Sequence, residues 1–79
     1  MELIEFKSLL ANRPMQRTAK GARIAIGMAS DLPERQTSLL RRFTGATLFE
    51  HLIASDEPIE AACSDAYALY QRGLIEPLA

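Results

Sequence analysis

Helix punctuation recurs three times between residues 31 and 78, and it constrains this chain more than any other feature. Asp31-Leu32-Pro33-Glu34 and Thr47-Leu48-Phe49-Glu50 both have the form of a capping box. In each, a side-chain oxygen can accept from a free backbone N–H of the first turn, while a Glu three residues on reaches back. Arg72-Gly73-Leu74 closes the third segment. There Gly73 can take the left-handed conformation and Leu74 can fold back onto the last turn. Three short helices with such brief connections predict a compact trihelical unit.

The rest of the pattern is read around that unit. Residues 2–11 can be a helix or a strand. Leu3, Phe6, Leu9 and Leu10 share one side at helical spacing, and Asn12 with Pro14 supplies a stop, which favours the helix. Residues 13–17 read as an extended connector. Thr18 caps a helix predicted to run to about Ser30, with Ala22, Ala25, Ile26 and Ala29 on its inner stripe. Gly21 and Gly27 each weaken it by ~1 kcal/mol relative to Ala, but small residues also let neighbouring backbones come close. Residues 32–44 place Leu32, Leu39, Leu40 and Phe43 on one face, and Gly45 breaks the helix. A short helix over 48–54 would bury Leu48, Phe49, Leu52 and Ile53. Ser55-Asp56-Glu57-Pro58 is the next start signal, with Ser55 or Asp56 as cap. From there Ile59, Ala62, Cys63, Ala66, Tyr67, Tyr70 and Leu74 keep helical spacing. Leu74 to Leu78 leaves as an apolar tail that can form a short strand.

The fold expected is one mainly α domain spanning 1–79, with about four helices. Residues 1–16 supply an N-terminal helix or strand plus connector, and 17–79 a helical core with the apolar tail. The 48% apolar and 24% charged fractions are those of a globular protein. One Cys and one His can build neither a disulfide framework nor a zinc site. The acidic start Met1-Glu2-Leu3-Ile4-Glu5 is unlike a signal peptide, and no apolar run approaches the ~20 residues of a membrane span. A cytoplasmic protein is the expectation.

A net charge of −1 conceals an asymmetry. Residues 1–30 hold Lys7, Arg13, Arg17, Lys20 and Arg23 against Glu2 and Glu5. Residues 50–79 hold Glu50, Asp56, Glu57, Glu60, Asp65 and Glu76 against Arg72 alone. Such a chain either presents a basic and an acidic face, each able to steer a partner, or simply solvates the outer faces of its helices.

The order Thr18-Ala19-Lys20-Gly21, Leu32-Pro33, Leu39-Leu40-Arg41-Arg42-Phe43-Thr44-Gly45, Thr47-Leu48-Phe49-Glu50 and Gly73-Leu74-Ile75-Glu76-Pro77-Leu78 resembles small winged-helix-like regulatory domains of bacteria. Those domains occur alone or beside signalling modules. The resemblance covers roughly residues 17–78. It implies a helix-turn-helix or winged-helix-like core built from the last three helices, and a bacterial regulatory setting. It carries over no catalytic residue. Two departures weigh against DNA contact: Thr44 stands where an acid is commonest, and Ala46-Thr47 replaces a basic run.

No catalytic constellation, cofactor site, metal site or small-molecule site is legible, so an enzyme is not expected. His51 beside Glu50 lacks a nucleophile or acid partner. Cys63 lies on an apolar stripe in an acidic neighbourhood, where a reactive thiol needs basic neighbours. Asp56, Glu57 and Glu60 complement a helix start and lack calcium-type spacing. A DNA-reading last helix would need cations, yet its polar face offers Glu60 and Asp65 ahead of Arg72. The expected function is therefore that of a small regulatory or adaptor protein binding another protein or a second copy. Tyr67, Tyr70, Leu74 and Ile75, or the basic segment 13–23, would carry the contact. The alternative is a DNA-binding regulator using Arg17, Lys20, Arg23, Arg41 and Arg42.

Overall fold

A computed structural model describes residues 2–27, 31–53 and 55–78. The first segment is a helix, α1 (Leu3–Asn12), which buries Phe6 and Leu10, one turn apart. A short strand follows, β1 (Met15–Arg17), and then α2 (Ala19–Ala25) and α3 (Glu34–Arg42). A single 3-10 turn at Phe49–His51 leads to the longest helix, α4 (Ile59–Gln71), and the chain closes with β2 (Ile75–Pro77). The protein is thus mainly helical, with four α-helices and a small two-stranded sheet among the described residues.

The apolar tail pairs with its own chain. Strand β2 runs antiparallel to β1, with Met15 opposite Pro77 and Arg17 opposite Ile75. On the other side of β1, Met15 and Thr47 exchange both backbone hydrogen bonds at 3.0 Å. Pro77 contributes no N–H, which blunts the outer edge of the sheet against further pairing.

Helices α3 and α4 share the largest helix–helix contact, and α1 packs on α4. Between them lies a core of Phe6, Leu10, Met15, Leu39, Leu40, Phe43, Phe49, Ala66, Leu69, Leu74 and Ile75, with Ala25, Ala62 and Cys63. No polar or charged residue is buried among the described residues.

Helix α4 ends as its Gly73 predicts. Gly73 takes φ +74°, its N–H donates to the Tyr70 carbonyl, and the Leu74 N–H donates to the Leu69 carbonyl, both at 3.0 Å. This is the Schellman arrangement, which satisfies two orphan carbonyls. Thr18 clasps the same turn. Its backbone N–H donates to the Leu74 carbonyl at 3.0 Å, and its hydroxyl donates to the Gly73 carbonyl at 2.7 Å. The hydroxyl oxygen also accepts from the Gly21 N–H at 3.1 Å, so the expected cap of α2 doubles as a tie to α4. Thr18→Ala removes both bonds and is expected to destabilise by about 1–2 kcal/mol. Thr18→Ser, which keeps the hydroxyl, is expected to avoid most of that loss, as urea midpoints would show.

The other helix starts differ from expectation. The first residues before α3 and the 3-10 turn are Pro33 and Leu48, and neither start has a side-chain cap. The Asp31 carboxylate is drawn instead to the Arg72 guanidinium at 2.8 Å. Thr47 is held in extended backbone by Met15, so the 48–54 helix shrinks to one 3-10 turn; its residue 54 lies outside the described residues. Helix α4 starts after Pro58 without help from Ser55 or Asp56. Helix α2 stops at Ala25 because Gly27 adopts φ +112° and its N–H turns back to the Ile24 carbonyl. Ile26, expected inside, is 83% exposed, and Ala29 and Ser30 lie outside the described residues.

Candidate interaction surfaces

The four residues expected to form a protein-binding surface at the end of α4 do not make one together. Leu74 and Ile75 are 1% and 2% exposed, because the Schellman turn folds Leu74 inward and β1 covers Ile75. Tyr67 and Tyr70 are half-buried, their ring centroids 5.2 and 4.9 Å from that of Phe6. Tilted ring pairs at such distances stabilise the packing of two helices. The tyrosines thus belong to the α1–α4 contact.

The charge asymmetry resolves in a way that sequence spacing does not reveal. Four cations pair with carboxylates distant in the chain: Lys7 with Glu60 at 2.6 Å, Arg35 with Asp65 at 3.1 Å, Arg42 with Glu57 at 2.7 Å and Arg72 with Asp31 at 2.8 Å. Three of those acids come from the acidic last third, so folding withdraws much of the expected acidic face. Exposed pairs of this kind each contribute ~0–1 kcal/mol. Their larger effect is on what they leave behind.

The five remaining cations are Arg13, Arg17, Lys20, Arg23 and Arg41, and none has a carboxylate within ion-pair distance among the described residues. Four follow one another through the turn before β1, the strand itself and α2. The fifth is fastened to the same element: the Arg41 Nε donates to the Ala25 carbonyl, the last of α2, at 3.3 Å. Lys20 and Arg23 on α2, with Ile26 just past its end, are three apart and exposed. Arg42, expected with this group, turns away to Glu57 and to the Leu52 carbonyl. Of the five residues expected to face DNA, Arg17, Lys20, Arg23 and Arg41 therefore remain free of carboxylates. On the last helix Ala62, Cys63, Ala66 and Leu69 bury one side, and Glu60 and Asp65 are ion-paired.

A second feature had no sequence signal beyond Ile59. That residue, expected on the inner stripe, is 57% exposed at the mouth of an apolar cleft of about 270 Å³. The cleft opens between α1, the 3-10 turn and the start of α4. Leu10, Phe49 and Cys63 form its floor, with Lys7, Glu50 and Glu60 at the mouth. Burial pushes the Cys63 thiol above its ordinary pKa, with Lys7 opposing the shift more weakly. A protonated, buried thiol is a small apolar group in this setting.

The chemistry-bearing residues do not converge. His51 is exposed and its Nε2 lies 4.0 Å from Glu50. Among the described residues no group of three or more His, Cys, Asp or Glu is placed to hold a metal ion. Asp56, Glu57 and Glu60 are dispersed, two of them to ion pairs. No helix among the described residues is long and apolar enough to cross a membrane. No family model matches the chain, and neither a curated protein nor a solved structure matches it.

Proposed function

We propose that this protein is a small bacterial regulatory or adaptor protein that acts by binding another protein through the basic β1–α2 surface. The observation that carries the reading is that, among the described residues, no carboxylate lies within pairing distance of Arg13, Arg17, Lys20, Arg23 or Arg41, while the other cations are neutralised in place. A concentrated field of one sign steers an oppositely charged partner and fixes its orientation. The counterpart is thus a partner surface or segment that presents exposed carboxylates. The resemblance to bacterial winged-helix-like regulatory domains fits this reading.

A DNA-binding regulator is the second reading, favoured by one further feature: Arg41 belongs to α3, whose exposed residues also include Ser38. That combination offers both phosphate and base-edge donors. Fluorescence anisotropy with a labelled Glu-rich peptide and, separately, a labelled random duplex separates the two. The protein reading predicts saturable peptide binding that persists at physiological salt. Duplex binding that exceeds it and collapses steeply with salt would move DNA to first place. Lys20→Glu is the informative variant. A carboxylate in the first turn of α2 suits the helix dipole and is expected to raise stability by about 0.5 kcal/mol. Weaker peptide binding from a more stable protein would assign Lys20 to the surface; unchanged binding would remove it.

A further inference from the structure

The chain carries both halves of a complementary contact. Just past the end of α2, Ile26 is the most exposed large apolar residue described, and Lys20 and Arg23 precede it at spacings of three, with no carboxylate partner among the described residues. Elsewhere, the cleft between α1, the 3-10 turn and α4 presents an apolar floor of Leu10, Phe49 and Cys63. Its mouth holds two carboxylates against one cation. Lys7 is engaged by Glu60 at 2.6 Å, so among the described residues Glu50 is left as the uncompensated charge, with the His51 imidazole 4.0 Å away. One half offers an aliphatic side chain with a cation one turn before it. The other offers an apolar recess with an anion at its lip.

We infer that the partner of the basic surface is a second copy of this chain, with Ile26 of one copy seated in the cleft of the next and Arg23 set against Glu50. The inference rests on the protein-binding reading of the β1–α2 surface and names its occupant. Burying an aliphatic anchor supplies the attraction, and the charge pair supplies orientation. The two patches differ, so the contact is heterologous: a pair of copies keeps one free anchor and one free cleft between them, and assembly continues as a ring or an open chain. A contact built on one anchor is small and belongs to the weak, reversible class.

Mixing of variants tests this by sedimentation velocity. Wild type is expected to show a mean sedimentation coefficient that rises with concentration. Ile26→Glu removes the anchor and Glu50→Lys reverses the lip; both positions are exposed, and circular dichroism checks that each variant folds. Each variant alone is expected to associate at least about tenfold more weakly than wild type. An equimolar mixture is expected to regain association, because the Glu50→Lys copy keeps its anchor and the Ile26→Glu copy keeps its cleft. The mixture should stop at dimers. A wild type that stays monomeric at all concentrations, or a mixture that fails to regain association, overturns the inference. Binding of the Glu-rich peptide by that same monomeric protein leaves the protein-binding reading standing, whereas loss of both removes the two together.

Discussion

Gly21→Ala is expected to destabilise the protein by about 3 kcal/mol, as overpacking does where nothing can yield. A methyl group on Gly21 would fall 2.0 Å from the Leu74 carbonyl oxygen and 3.0 Å from its carbon. Both are backbone atoms of the turn that ends α4, and rotamer changes cannot move them. Nor can α2 retreat freely, because Thr18 holds the same turn through the Gly73 and Leu74 carbonyls. Helix propensity alone points the opposite way, since Ala in place of Gly within a helix favours the fold by about 1 kcal/mol. The sign of the effect therefore decides whether α2 approaches α4 this closely. In a domain of this size the loss corresponds to a fall of roughly 15 °C in melting temperature. Gly45→Ala serves as the control, because nothing lies within 4 Å of a methyl there. A melting temperature that rises in Gly21→Ala would contradict the α2–α4 contact.

Phe6→Ala is expected to cost about 3–5 kcal/mol, through lost transfer energy and the cavity left behind. Phe6 is fully buried and is the point where α1 meets α4, with both tyrosine rings against it. A small domain has of order 5–10 kcal/mol in total, so this single change is expected to leave the protein close to its unfolding threshold. The two tyrosines and the absence of tryptophan make tyrosine fluorescence a direct reporter of the site during urea denaturation. Phe6→Leu, which refills much of the space, should recover part of the loss. A cost below about 1 kcal/mol for Phe6→Ala would mean that α1 is only loosely attached to the rest of the fold.

The helical elements were legible where the signal was local. Phe6 and Leu10, one turn apart, mark α1, and Gly73 marks the end of α4 through a conformation that only glycine adopts readily. Thr18 was legible as a cap for the same reason. What failed was the assignment of groups with a second suitor. Asp31 reads as a cap until Arg72, 41 residues away, takes its carboxylate. Thr47 reads as a cap until Met15 holds its backbone in a bridge. Ile26 fits the inner stripe of a longer helix, but the left-handed Gly27 ends that helix first.

The candidate surfaces were legible in part, and for the same reason. The basic run 13–23 is visible in the chain, but its isolation from the acids depends on pairs such as Lys7–Glu60, 53 residues apart. Leu74 and Ile75 read as part of an apolar tail able to pair with its own chain or a neighbouring one, and no local feature of β2 decides that it pairs with β1. The cleft is invisible in the sequence because its walls come from three separate elements.

Two-dimensional NMR of the 15N-labelled protein, titrated with a Glu-rich peptide, shows whether the cations of β1 and α2 form the binding surface. Amide shifts are expected to concentrate between residues 13 and 26 and around Arg41, with the Tyr67 and Tyr70 amides unmoved. Shifts centred instead on the Tyr67–Tyr70 turn of α4, or no shifts at saturating peptide, would contradict it.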